Sequence, residues 1–144
     1  MIVRVIGLDL GSRRIGVAVT DQLGLTAQPH ATIERHGGQR DLDAIREVVR
    51  AHGASRVVIG LPLSPEGERG RAALAAERFA ERLRAVLDVP VELIDESFTT
   101  VEATDVLLEA DLSRARRKQV VDRVAAALIL RRWMDARLKG SASG

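Results

Sequence analysis

Asp9 is the first residue whose type and position suggest chemistry. It stands near the end of the largely apolar run at residues 3–11, which is typical of a central strand covered on both sides. A carboxylate there is costly unless it is paired, hydrogen-bonded or bound to a metal. From this run alone two interpretations stay open. Asp9 caps the turn at residues 11 and 12, or it joins other acids in a site.

The glycines near Asp9 leave both interpretations open. Side chains alternate faces along a strand, so Val5, Gly7 and Asp9 share one face. Gly7 leaves room beside the carboxylate, and Gly11 allows the chain to turn sharply after it.

Further acids occur at two other places. Asp95 and Glu96 end the apolar run at residues 91–96, a predicted strand. Asp122 lies on the apolar side of a predicted helix at 116–138, about one turn from its start. One interpretation of Asp122 is an acid that complements the helix dipole. The other is a third member of the site.

Carboxylates converging from two strand ends and one helix would form an oxygen site for one or two divalent cations. Magnesium and manganese prefer such ligands. Two ions held about 4 Å apart stabilise the attacking and leaving oxygens of a phosphodiester displacement. The sequence has no cysteine, and its three histidines form no ligand spacing on one helix.

The elements that must position these acids follow from the hydrophobic pattern. Three meandering strands precede alternating helices and strands, which predicts an α/β fold. Its five-stranded mixed sheet has the order 3-2-1-4-5, with helices on both faces. Pro29 suggests an edge position for the third strand. The predicted strands are 3–11, 14–21, 25–33, 56–61 and 91–96, and the predicted helices are 41–52, 70–87, 99–110 and 116–138.

Length and composition limit the class of protein. The 144 residues predict one domain at residues 1–139 and a disordered tail at 140–144. Neither a secretory leader nor an apolar run long enough for a bilayer is apparent, so we expect a cytoplasmic protein without a membrane partner. The net charge of +2 permits nucleic-acid binding without establishing it.

Four motifs follow one another along the chain. They are Gly7-x-Asp9-x-Gly11-x-x-Arg14-Ile15-Gly16-Val17-Ala18-x-x-Asp21, Val58-Ile59-Gly60-Leu61-Pro62-Leu63, Asp95-Glu96-x-x-Thr99-Thr100 and Val121-Asp122-x-x-Ala125-Ala126-x-Leu128-Ile129-Leu130. Together they resemble the YqgF/RuvX family of ribonuclease H-like proteins. This resemblance implies an RNase H-like fold and a metal-dependent nuclease that processes the 5′ end of precursor 16S ribosomal RNA. Similarity to RuvC implies Holliday-junction cleavage as an alternative.

The family resemblance implies that Asp9, Glu96 and Asp122 are the catalytic residues and the ligands of Mg²⁺ or Mn²⁺. Asp95 stays open as the alternative ligand, because adjacent strand residues point to opposite faces. The family usually has arginine after the Asp-Glu pair, whereas this chain has Ser97. That departure removes a partner for phosphate or carboxylate.

Basic residues supply candidate contacts to a nucleic-acid backbone. Arg14, Arg116, Arg117 and Lys118 are the candidates, and a solvated surface is the alternative for each. With only two phenylalanines and one tryptophan, base stacking is weakly supported. Recognition should therefore depend on phosphates and shape, and binding should weaken with salt.

Several functions remain compatible with this sequence. Precursor rRNA is the first expected substrate of a nuclease, and branched DNA is the second. A monomer or a homodimer fits, although symmetric junction cutting requires a dimer. A nucleic-acid-binding factor with little turnover is a third possibility. A phosphate-binding domain of the sugar-kinase type is disfavoured, because two such domains are needed to enclose a nucleotide.

Overall fold

The computed structural model describes residues 4–21, 26–62, 70–95 and 114–143. For helical residues 114–121 and 138–143 the description covers the backbone alone. These parts of the chain form five strands and three helices. In chain order they are β1 (Val5–Leu10), β2 (Arg14–Thr20), β3 (Ala27–Glu34), α1 (Gln39–His52), β4 (Arg56–Leu61), α2 (Arg71–Val86), β5 (Val91–Asp95) and α3 (Arg114–Ser143).

The five strands form one mixed sheet in the order β3-β2-β1-β4-β5. β1 and β2 form an antiparallel hairpin in which Asp9 pairs with Gly16. β4 lies parallel to β1, and β5 lies parallel to β4 with Leu61 paired to Asp95. The parallel strands therefore end at the same edge of the sheet, which confirms the predicted order and brings the ends of β1 and β5 to one side.

One face of the sheet carries the larger hydrophobic core. Helices α1 and α2 cover this face, and their apolar residues recur at helical spacing. β1 contributes Ile6 and Leu8 to this core, whereas Val5 and Gly7 point to the other face. The largest fully buried side chains of this core are Ile6, Leu8, Ile15, Ile45, Ile59, Leu83, Val17 and Val57.

Helix α3 covers the opposite face, so the prediction of helices on both faces is confirmed. Its side towards the sheet consists of small and medium apolar residues, with Ala125, Ala126, Ile129 and Leu130 fully buried. Ala126, Ile129 and Leu130 pack against Val5, Ala18 and Val58 of the sheet. Small side chains on both partners allow the helix axis to lie close to the strands.

The observed element boundaries differ slightly from those predicted. β3 begins at residue 27 rather than 25, and its exposed edge position agrees with Pro29. α3 extends from Arg114 to Ser143, so helical backbone covers the first four residues of the predicted tail. Glycine disfavours a helix by only about 1 kcal/mol and does not forbid it. The predicted helix at 99–110 lies outside the described residues. None of the helices described combines the length and the apolar character needed to cross a bilayer.

A buried acid joins the β1–β2 turn to the start of α1. Asp41 is 2% exposed and accepts hydrogen bonds from the N–H groups of His36 (2.8 Å) and Gly37 (3.1 Å). Arg35 lies 3.6 Å from the same carboxylate, and its Nη1 donates to the carbonyl of Gly11 at 2.9 Å. Burial raises the pKa of Asp41, but the two N–H groups and Arg35 together outweigh it and lower the pKa below its usual value.

We expect Asp41→Asn to lower the free energy of unfolding by about 1–3 kcal/mol at pH 7, because the variant loses charge-assisted hydrogen bonds. A lowered pKa in the folded state stabilises the protein above the unfolded pKa of about 4. The difference from wild type should therefore shrink as the pH falls below that value. Urea unfolding across a pH series measures it.

Asp43→Asn is the matched control, since Asp43 lies two residues further along α1, is exposed and bonds only to the side chain of Gln39 within the described structure. Equal losses of stability in the two variants at pH 7 would contradict the role given to Asp41.

Candidate metal centre

Asp9 lies near the end of β1 on the sheet face that α3 covers. Asp9 is 9% exposed, and because side chains alternate along a strand it shares this face with Val5 and Gly7. Directly paired residues of an antiparallel ladder share a face, so Gly16 lies beside Asp9 about 5 Å away. The turn after Asp9 is closed by a hydrogen bond from the Gly11 N–H to the Arg14 carbonyl (2.9 Å). A backbone acceptor therefore already satisfies the Gly11 donor.

Helix α3 lies close to the β1–β2 hairpin at two glycines of the hairpin, Gly7 and Gly16. A Cβ atom built on Gly16 would lie 1.9 Å from the carbonyl oxygen of Asp122. A Cβ atom on Gly7 would lie 2.9 Å from both the carbonyl oxygen of Ala126 and the Cβ of Leu130. The backbone of Asp122 thus rests on Gly16, the cross-strand partner of Asp9. This contact brings the main chain of Asp122 to the strand position that pairs with Asp9.

The side chain of Asp122 is oriented by an ion pair. Its Oδ2 lies 3.1 Å from Nε of Arg14, the first residue of β2, and the two side chains are 23% and 21% exposed. Asp122 lies eight residues after the first residue of α3. It is therefore about two turns from the start of the helix, whereas the sequence predicted about one turn. Because the dipole effect falls off within the first turn, the helix-dipole interpretation loses its support.

The structure separates Asp95 from these two acids. Val91 and Leu93 of β5 face the core under α1 and α2, and Asp95 follows in the same alternation. Asp95 is exposed and lies on the face opposite to that of Asp9. Glu96, the next residue and the preferred ligand of the sequence prediction, lies outside the described residues.

The donor set fits a hard divalent cation in part. Asp9 and Asp122 are oxygen donors on one face and at one end of the sheet, as magnesium and manganese require. Within the described ranges, no three acids or histidines form a group with metal-binding geometry. A third protein ligand of such a cation would lie outside the described residues.

Of the predicted basic contacts, Arg14 forms the ion pair with Asp122, and its contact with nucleic acid stays a prediction. Arg116, Arg117 and Lys118 lie in the first two turns of α3, and their side chains are outside the described part of the chain.

Sequence reasoning missed Arg35, which holds the turn after Asp9 through the carbonyl of Gly11. The available signal was Asp41, an acid in the first turn of a helix that follows two glycines.

Solved structures share this architecture. RuvC from Thermus thermophilus in complex with a Holliday junction substrate matches with a TM-score of 0.57 at 19% identity, covering 92% of this chain and 96% of that one. The Holliday junction resolvase of fowlpox virus matches with a TM-score of 0.54 at 12% identity, covering 92% and 99%. At these identities the likeness establishes the fold, and that fold is the RNase H type found in RuvC.

Sequence comparison identifies the family of the chain, which the likeness of folds alone does not. The family model described as "RuvX: Holliday junction resolvase" matches residues 3–136. A Myxococcus xanthus protein named "Putative pre-16S rRNA nuclease" is 52% identical over 133 residues, which cover 92% of this chain and 88% of that protein. A protein of the same name from Moorella thermoacetica is 49% identical over 132 residues, covering 92% and 94%. The chain belongs to the RuvX family.

The close contacts of Gly16 and Gly7 with α3 predict that alanine at either position destabilises the protein, and more strongly at Gly16. We expect Gly16→Ala to lower the free energy of unfolding by about 3 kcal/mol, because the methyl group meets helix backbone that no side-chain rotation can move. Gly7→Ala should cost about 1–2 kcal/mol, since its closest contacts are longer. Chemical denaturation of both variants measures these differences.

Gly70→Ala is the control, because a Cβ atom on Gly70 meets nothing within 4 Å. Its effect should stay within about 1 kcal/mol, the size expected at a helix N-cap. Equal effects at Gly16 and Gly70 would show that α3 is not held against the hairpin as described.

Proposed function

We propose that this protein is a divalent-metal-dependent nuclease that processes the 5′ end of precursor 16S rRNA. The observation that carries the proposal is the placement of the Asp122 main chain over Gly16, the strand position that pairs with Asp9, so two acids from distant parts of the chain belong to neighbouring positions. Membership of the RuvX family and the names of the two bacterial relatives support this substrate.

Asp9, Glu96 and Asp122 are the proposed catalytic residues and ligands of Mg²⁺ or Mn²⁺. Asp95 is exposed and lies on the sheet face that α1 and α2 cover, which favours its neighbour Glu96 as the ligand from the end of β5. Leu8 of β1 pairs with Ile59 of β4, so the next residues of the two strands, Asp9 and Gly60, lie beside each other. Gly60 has no side chain, and it is the residue of β4 between Asp9 and β5. No side chain of β4 therefore stands between Asp9 and β5 at this position.

The cation, when bound, stabilises negative charge on the attacking and leaving oxygens of the phosphodiester. The chain's own contribution is orientation. The buried position of Asp9 restricts its carboxylate, and α3 fixes the distance of Asp122 from it. Without a cation, carboxylates gathered in one place would repel each other. A bound cation would offset this repulsion, so a close group of acids is consistent with a metal site.

Basic residues near this end of the sheet are the proposed contacts to the RNA backbone. Within the described residues no acceptor lies against the Nη atoms of Arg14, so their N–H groups can donate to phosphate oxygens. Arg116, Arg117 and Lys118 precede Asp122 on α3 by four to six residues. We propose that the protein acts in the cytoplasm, where precursor rRNA is present. It would act there as a monomer or a homodimer.

Branched DNA is the second candidate substrate. The description of the family model as Holliday junction resolvase favours it. The same acids would carry out the cleavage, and a symmetric junction would require a homodimer. A nucleic-acid-binding factor with little turnover is the remaining alternative, and a binding assay combined with a cleavage assay separates it from both nucleases.

We expect Asp9→Asn, Glu96→Gln and Asp122→Asn each to reduce Mn²⁺-dependent cleavage by at least about 100-fold, because each removes an ionised ligand. The assay uses a transcript with the 5′ precursor sequence of 16S rRNA, and a four-way DNA junction runs in parallel. Circular dichroism confirms that each variant is folded.

Asp135→Asn is the control for Asp122→Asn, since Asp135 lies on the same helix and is exposed. Retained cleavage in Asp9→Asn would remove the metal mechanism. Cleavage of the junction but not of the transcript would replace the proposed substrate with branched DNA. Tight RNA binding without any Mn²⁺-dependent product would favour the binding factor.

Replacing Arg116, Arg117 and Lys118 together with glutamine should weaken RNA binding and reduce its salt dependence. Each lost phosphate contact to a single strand lowers the slope of log K against log salt by about 0.7. Filter binding between about 50 and 200 mM salt measures the slope. The control replaces Arg40, Arg46 and Arg50, which are exposed on α1 beyond the other face of the sheet. Equal changes in slope for both triple variants would contradict a contact surface on α3.

A further inference from the structure

The ion pair between Arg14 and Asp122 uses one atom from each partner. Nε of Arg14 lies 3.1 Å from Oδ2 of Asp122. Among the residues described, no donor lies against Oδ1 of Asp122. The carboxylate therefore keeps one oxygen for a second interaction while the first is engaged.

The backbone fixes both partners of this pair. The carbonyl of Arg14 accepts the hydrogen bond from Gly11 that closes the hairpin turn (2.9 Å). The carbonyl of Asp122 rests on Gly16, two residues beyond Arg14 on the same strand. With both main chains held, a single hydrogen bond is enough to select one orientation of the Asp122 side chain.

Two physical effects of Arg14 on a nearby cation oppose each other. Its positive charge repels the cation and would weaken binding. Its hydrogen bond orients the carboxylate and removes rotational freedom that the cation would otherwise have to restrict. Outer partners of metal-ligating carboxylates typically strengthen binding by 10- to 100-fold. The pair is partly exposed, so solvent screens the repulsion but does not remove the geometric constraint.

We propose that Arg14 is a positioning residue that holds Asp122 so that its second carboxylate oxygen faces the cation, and that this orientation outweighs the repulsion. The proposal rests on the function proposed above, because it requires Asp122 to be a metal ligand. It assigns Arg14 a role in the absence of nucleic acid, separate from any contact of its Nη atoms with phosphate.

The test measures Mn²⁺ binding to the full chain without nucleic acid, by the electron paramagnetic resonance signal of free Mn²⁺. We expect Arg14→Met to raise the dissociation constant by about 10- to 100-fold, although it removes a positive charge. Arg14→Lys keeps the charge and a donor but not the fixed Nε geometry, so its dissociation constant should lie between those of wild type and Arg14→Met.

Arg13→Met is the matched control, because Arg13 is the preceding residue, its side chain is exposed and the same charge is lost. Its dissociation constant should equal that of wild type or be slightly lower. An unchanged or lower constant in Arg14→Met would overturn the proposal, since repulsion would then equal or exceed orientation.

The outcomes also separate this inference from the proposed function. If the wild type binds Mn²⁺ and Asp9→Asn does not, the metal site stands, and Arg14→Met decides the inference alone. If the wild type binds no Mn²⁺, both proposals fail. Thermal melts monitor folding, and if Arg14→Met does not fold, an unchanged dissociation constant in Arg14→Gln overturns the inference in its place.

Discussion

The close approach of α3 to the β1–β2 hairpin is the constraint on which the site depends. Helix and sheet meet backbone to backbone at Gly16, where even one methyl group would collide with the Asp122 carbonyl. Because Gly16 pairs with Asp9, the same contact determines how far the second acid lies from the first. A larger residue at position 16 would preserve the hairpin and the helix individually while moving the two carboxylates apart.

The two faces of the sheet serve different purposes. Large aliphatic side chains fill the face under α1 and α2, where burial of apolar area supplies most of the stabilisation. The face under α3 uses small residues such as Ala18, Ala125 and Ala126, which bury less area but bring backbones together. The fold thus gains most of its stability on one face and places Asp9 and Asp122 on the other, so the buried Asp9 does not interrupt the main core.

The local part of this arrangement could be predicted from the sequence, and the distant contacts could not. Strand alternation identified the face of Asp9, and helical spacing identified the side of α3 that carries Asp122, because each depends on residues close in the chain. The pair of Arg14 and Asp122 joins residues 108 positions apart. No local pattern encodes it, since it depends on how far and at what angle the helix crosses the hairpin. The contact of Arg35 with Gly11 was missed for the same reason.

Adjacent acids at a strand end can be distinguished only when the faces of that strand are known. The sequence left Asp95 and Glu96 open, because an apolar run buried on both sides gives no sign of which residue faces which helix. In the structure, the positions of Val91 and Leu93 assign Asp95 to the face under α1 and α2. A side chain on that face is separated from Asp9 and Asp122 by the sheet itself. The odd or even position of one residue in a five-residue strand therefore decides which carboxylate is the better candidate for the third ligand.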